Sequence, residues 1–252
     1  MKKFKNLLLL FGGNNYKYYE NGIKAIKPFK KNIRIIIVTK NCSLKIIKNI
    51  KLNFPKIKII RTNKFDISKK TLLFIENYCD LGVNIGFNYI IKRSILNILP
   101  ILNPHPSYLP YNRGCHHSFW SIIDKTPAGA TLHMMNEEID GGDILFQKKI
   151  KLNKYMPASE IQKKCEDMAM YLLNTNLKKI IYGKFKPLKQ KKFSYHSKKE
   201  ILKKSILNSS DNIKVSYLFD LIRATYNKDN GFYIKFNNKK FLIKIKSYSE
   251  VK

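Results

Sequence analysis

Asn103 and His105 stand where an apolar run, Ile98-Leu99-Pro100-Ile101-Leu102, gives way to polar residues. They are two apart, so on an extended backbone both side chains point to the same face. Asp140 follows His105 by thirty-five positions, in Ile139-Asp140-Gly141-Gly142-Asp143, where two glycines let the backbone turn sharply. An amide that donates to a developing oxyanion, an imidazole that titrates near neutral pH and a carboxylate that orients it are the parts of an acyl-type transfer. Such a set needs no covalent intermediate, because proximity and electrostatics can supply the rate. Taken singly, an Asn after a strand is a turn residue and a lone His a hydrogen-bonded structural one. The ordered set with its glycines is what argues for chemistry, and Asp143 ranks second to Asp140 as the acid.

Pro104, Pro106 and Pro110 fix φ and cannot continue a helix or a central strand, which predicts a rigid loop leaving a strand end. Upstream, the pattern predicts strands over Asn6–Phe11, Ile33–Val38, Ile57–Ile60, Gly82–Phe87 and Ile98–Asn103. Helices are expected over 16–29, 43–52, about 68–78 and 92–96 between them. Strands alternating with helices give an α/β fold, a doubly wound, mostly parallel Rossmann-like sheet, which keeps its sites at strand ends. Downstream come a helix over Cys115–Asp124, strands over 128–135 and 143–150, and a helix over Ala158–Tyr182. Lys184–Lys192 reads as a boundary, dividing a catalytic domain, 1–190, from a small C-terminal helix-plus-hairpin subdomain, 191–252. That subdomain is expected to hold a helix over Ser210–Arg223 and a hairpin of Phe232–Phe236 and Lys240–Ile245.

The net charge of +32 invites a nucleic-acid reading, but only five of the 49 basic residues are arginine, the residue suited to base and phosphate recognition. Lysines spread along the whole chain read as a solvated surface, and no specific nucleic-acid partner is expected. Four scattered cysteines without a C-x-x-C pair suit free thiols in a reducing cytoplasm. The start, MKKFKNLLLLFGG, mimics a signal peptide, yet its apolar run is short and no small-residue cleavage site follows. No run approaches a membrane span, so a soluble, cytoplasmic protein is expected. Gly12-Gly13 reads as a tight turn, since GGNNYKY lacks the dinucleotide pattern. Cys115, His116, His117 and His133 lack metal-ligand spacing, so no metal is expected, and Cys115 is not read as a nucleophile. Trp120, the single tryptophan, is expected in the core.

N-P-H-P-S-Y-L-P, then R-G, then I-D-G-G-D-I resembles the signature of the folate-dependent formyltransferases. Within that family, S-Y-L-P-Y-N-R-G is most similar to the enzymes acting on dTDP-linked amino sugars. The resemblance implies transfer of a formyl group from N10-formyltetrahydrofolate, with Asn103, His105 and Asp140 as the catalytic set and no metal. It places the folate against Gly82, Gly86, Phe87 and Asn88 and the loop of Asp140 and Asp143. For the sugar nucleotide it directs attention to Asn15, Tyr16, Lys92, Tyr108 and Arg113, a tyrosine stacking on the base and the cations meeting the diphosphate. It further implies a homodimer through the apolar hairpin and a place in surface-polysaccharide synthesis such as O-antigen. Methionyl-tRNA and glycinamide ribonucleotide are the rival amines; a helix and a hairpin are too little for the C-terminal barrel of the tRNA enzymes.

Overall fold

The computed structural model describes residues 4–63, 67–226 and 231–246. β1 (Leu7–Phe11) leads to α1 (Tyr16–Ile26), a 3-10 turn over Lys27–Asn32, β2 (Ile33–Thr39), α2 (Leu44–Asn53) and β3 (Lys58–Thr62). Then come α3 (Lys69–Tyr78), β4 (Leu81–Ile85), α4 (Arg93–Leu96) and β5 (Ile101–His105). The second half runs β6 (Arg113–Gly114), α5 (His117–Ile123), β7 (Gly129–Met134), β8 (Ile144–Lys149), α6 (Ala158–Ile181) and β9 (Tyr195–His196). It ends with α7 (Lys198–Lys204), β10 (Ile206–Asn208), α8 (Val215–Thr225), β11 (Gly231–Phe236) and β12 (Lys239–Lys244). Three helix starts follow from local chemistry: Asn15, Ser43 and Ser68 accept from the N–H groups of Tyr18, Ile46 and Thr71, satisfying donors that a helix leaves open. Pro28, with no N–H to donate, ends α1 at Ile26, three residues short of the expected 29.

Among the described residues the main sheet has the order β3-β2-β1-β4-β5-β7-β8. Its first five strands are parallel and β7 and β8 antiparallel, the mostly parallel doubly wound sheet that the alternation predicts. β1 shows why its run is apolar without interruption. Leu7, Leu9 and Phe11 face a core shared with α1 and α6, while Leu8 and Leu10 face a second core with Ile75 and Ile95. β4 pairs with β5 only through Gly82–Ile101 and Val83–Leu102, and beyond those pairs the strands part. Pro104, with no N–H to offer a ladder, falls past that pairing while still opposite Leu132 of β7. The strand therefore runs on through His105, further than the prolines imply.

A third core joins Phe119 and Trp120 of α5, Ile161 and Cys165 of α6, Leu221 of α8 and Phe232 of β11. Trp120 is buried there and stacks on His196, ring centroids 3.8 Å apart. α6 thus spans both halves, its later turns entering the main core. The C-terminal part is more than a helix and a hairpin: β10 adds in parallel to β11, giving a three-stranded sheet. A strand of three residues is too short for periodicity to reveal. α8 begins at Val215, later than Ser210, because Asp211 accepts from the Asn208 N–H and closes a turn first. The lysine-rich segment before it is not a slack connector. Leu188 exchanges both backbone hydrogen bonds with Ile144 at 2.9 Å, and Tyr195–His196 pairs in parallel with Arg113–Gly114. No helix among the described residues is long and apolar enough to cross a membrane.

Candidate active site

A cleft of about 600 Å³ opens at the C-terminal ends of β1, β4 and β5, where β4 and β5 separate. Asn15 and Tyr18 enter it after β1, Gly86, Phe87 and Asn88 after β4, and Asn103 and His105 from β5. Asp140 enters from the β7–β8 loop, Glu166 from α6 and Tyr195 from β9. Asn103 and His105 share a face of β5, as their spacing requires.

Asn103 lies directly opposite His133 on β7, and its Nδ2 stands 3.0 Å from His133 Nε2. His133 Nδ1 faces the Met134 carbonyl at 3.3 Å. Donation from Nδ1 leaves Nε2 as an acceptor for the Asn103 amide, so His133 is neutral and turns Asn103. Burial first, and the nearby His105, push His133 down to about 4, against the upward pull of Asp140. His117 is buried with its ring 6.2 Å from that of His105 and is pushed down to about 3, again chiefly by burial. His105 Nδ1 stands 3.5 Å from Asp140 Oδ1, and His105 Nε2 has no hydrogen-bond partner among the described residues.

Burial alone would raise the Asp140 carboxyl. His105, then His133, and the Gly114 N–H, which donates to Oδ2 at 3.0 Å, outweigh it and hold the group below its ordinary value. Asp140 sits at φ 51°, left-handed backbone that a non-glycine residue adopts only when its surroundings impose it. Gly142 follows because a Cβ there would come 1.5 Å from the Met134 carbonyl oxygen.

The cleft wall includes Gly86, Phe87, Asn88 and Asn15 among the residues singled out in the sequence, but not others. Gly82 is interior to β4, where its missing Cβ makes room for Ile101. Asp143 gives its carbonyl to the Met134 N–H and lies behind the loop. Tyr16 points to α2, accepting from Asn49 and lying under Lys45, because the first turn of α1 rotates it away from Asn15. Tyr108 packs under Lys149. Lys92 caps α4 beside the cleft-lining Ile91. Arg113 is buried, paired with Glu138 at 3.0 Å and laid over Phe193, so its guanidinium is a strut and not a free cation. Four roles escaped the sequence reading: that of His133, weighed there only as a metal ligand, and those of Tyr18, Glu166 and Tyr195. A histidine in an otherwise apolar strand signals the first. The other three reach the cleft only through tertiary placement, Tyr18 by bonding the Pro104 carbonyl and Glu166 by accepting from Asn15 Nδ2 at 2.8 Å.

Although the chain carries +32, the described cleft wall holds Glu137, Glu138, Asp140 and Glu166 and neither lysine nor arginine. Arg93 and Arg113 answer Glu137 and Glu138 from outside it. Glu166 faces the neutral amides of Asn15 and Gln162, a setting that favours a cationic group such as a protonated amine. His105, His133 and Asp140 also place three donor atoms within 4.8 Å of one another, close enough to share a metal ion. His133 Nε2 already takes the Asn103 amide and Asp140 Oδ2 the Gly114 N–H, a pattern that suits an acid–base set.

Residues 56–177 match the family model described as formyl transferase. The methionyl-tRNA formyltransferase of Prochlorococcus marinus (strain MIT 9515) is 31% identical over 179 residues, covering 65% of this chain and 55% of that protein. The bifunctional polymyxin resistance protein ArnA of Wigglesworthia glossinidia brevipalpis is 30% identical over 168 residues, covering 65% of this chain and 25% of that protein, so the chain spans between 25% and 55% of the length of these two curated relatives. In fold, a sugar N-formyltransferase from Shewanella sp FDAARGOS_354 matches with a TM-score of 0.79 at 24% identity, over 98% of this chain and 99% of that one. An N-formyltransferase from Helicobacter canadensis, in complex with folinic acid and dTDP-3-aminofucose, matches with a TM-score of 0.66 at 21% identity, over 92% and 85%.

Proposed function

We propose that the chain belongs to the formyl transferase family, whose model matches residues 56–177, and that it moves a formyl group from N10-formyltetrahydrofolate to the amine of a dTDP-linked 3- or 4-amino-dideoxyhexose. The observation that carries the chemistry is the constellation itself: Asn103 turned by His133, and His105 set between Asp140 and the cleft. Asn103 donates to the formyl oxygen as it becomes negative, a role that suits a fixed, part-buried amide. The amine attacks as its free base, an ammonium first giving a proton to solvent; His105 takes the proton that the amine then releases on attack, through Nε2, while Asp140 on Nδ1 fixes its tautomer and supports the charge. Formyl carbon gains a bond to the amine nitrogen and loses its bond to N10 of the folate, which leaves with a proton.

The folate lies against Gly86–Asn88 in this reading, and the acid-lined side near Asn15 and Glu166 receives the amine. The end-to-end fold match with a sugar N-formyltransferase and the dTDP-3-aminofucose held by the Helicobacter relative support the sugar nucleotide. The product would enter surface-polysaccharide synthesis, with the enzyme a cytoplasmic homodimer. A second reading, formylation of methionyl-tRNA, is favoured by relatedness in sequence. An assay with N10-formyltetrahydrofolate and dTDP-3-amino and dTDP-4-amino-dideoxyhexoses, glycinamide ribonucleotide and methionyl-tRNA separates them. Turnover on one dTDP-sugar, unchanged by EDTA, is expected. Turnover on methionyl-tRNA alone would keep the chemistry and discard the sugar, and loss with EDTA would turn the donor cluster into a metal centre.

A further inference from the structure

The loop that carries Asp140 is gripped by a side chain that the chemistry above does not use. Gln190 Nε2 donates to the Asp140 carbonyl at 2.8 Å and to the Gly142 carbonyl at 2.7 Å, while Oε1 accepts from Arg113 Nε at 3.0 Å. One amide thus engages both N–H groups and its oxygen together. The two carbonyls belong to the peptide planes that bracket the Gly141–Gly142 pair, so holding them sets the turn in which Asp140 keeps its left-handed backbone. Arg113 completes the frame. Its Nη1 meets Glu138 on the same loop, and its backbone N–H donates to the Ser194 carbonyl at 2.9 Å. Gly114, the next residue, holds the Asp140 carboxylate itself. The main chain of Asp140 is therefore held from one strap, residues 188–196, and its carboxylate from Gly114 of β6, which pairs with that strap.

We infer that Gln190 is a positioning residue for formyl transfer: by holding both carbonyls of the Asp140–Gly142 turn it keeps the Asp140 carboxylate in register with His105. This rests on the functional reading above. Gln190 lies outside the family match at 56–177, on a segment whose composition reads as a boundary.

Gln190→Glu separates grip from bulk. It has the same size and still accepts from Arg113, but it sets a carboxylate against two carbonyls. Gln190→Ala removes the frame, and Gln190→Asn keeps the amide one methylene short. Steady-state formylation of the accepted amine across about pH 5 to 9 is expected to show kcat down about 10- to 100-fold in the Glu and Ala variants, because a misplaced group near a reacting centre costs on that order. KM for donor and amine should stay within about 3-fold, since neither touches Gln190. The acid limb of the profile should move to higher pH, because a released Asp140 carboxyl rises from its lowered value and must still be ionised to act. A glutamine that merely stabilises the fold would lower Tm and leave that limb in place. Amide exchange over residues 134–144, faster in Gln190→Glu while α6 is unchanged, reports the grip without reference to activity. Wild-type kcat and acid limb in Gln190→Glu, or unaltered exchange, overturns the inference. A wild-type protein that formylates no amine sinks the functional reading instead, and the exchange data then decide the grip alone.

Discussion

Three imidazoles surround Asp140, and burial assigns them different work. His133 and His117, pushed down to about 4 and about 3, carry no charge at neutral pH, so they act as fixed neutral walls. His105 alone presents one ring nitrogen to the carboxylate and leaves the other without a partner. His105→Ala and Asp140→Asn are each expected to lose about 10²- to 10⁴-fold in turnover, the usual worth of a positioned acid–base group. Nucleotide affinity, read by calorimetry, should stay within about 3-fold, because neither group is placed to hold a diphosphate. Wild-type-like turnover in either variant removes the mechanism. At this scale the sequence is legible where residue type and spacing coincide, as at Asn103, His105 and Asp140. It is silent about His133, whose hold on Asn103 comes from strand pairing across thirty positions. Arg113 and Tyr16 mislead for the converse reason: their types suit a nucleotide, and their neighbours Glu138 and Asn49 had already taken them.

At the level of elements, β5, β7 and the β7–β8 loop form one working unit. Gly142 lets that loop pass under the Met134 carbonyl, and Met134 N–H reaches the Asp143 carbonyl at 2.9 Å. Gly142→Ala cannot be accommodated by a side-chain shift, since the obstacle is backbone. It should cost more than about 2 kcal/mol in urea unfolding and abolish most turnover. Gly82→Ala meets the side chain of the buried Ile101 and not backbone, and should weaken packing while sparing kcat; equal losses from both would deny the loop its special place. Long apolar runs and capping serines make the strands and helices of the first half readable. The three-residue β10 and the two-residue β6 and β9 carry no periodicity, and the strap looks like a linker because its lysines face solvent while Leu188, Gln190 and Ser194 make the contacts.

For the whole molecule, the buried histidines make stability depend on pH. An unfolded histidine titrates near 6.5, and His133 and His117 do so at about 4 and about 3 when folded. Between those values the unfolded chain binds protons that the folded chain does not. Stability is therefore complete above about pH 6.5 and falls as pH falls, by about 1.4 kcal/mol per unit for each histidine. Asp140 adds to the loss lower still, its depressed carboxyl stabilising the fold only while ionised. Urea unfolding at several pH values should show this slope, and His117→Gln should flatten it; an unchanged slope would mean that His117 is protonated in the fold. The contrast between a lysine-coated exterior and an acid-walled cleft has its own consequence for diffusional encounter. With screening over about 8 Å at physiological ionic strength, an approaching molecule senses the exterior first and the cleft only on entry. A ligand with a negative tail and a positive head is then sorted by orientation as it arrives. The outer field catches the tail, the inner carboxylates draw in the head, and a simple polyanion is held at the rim.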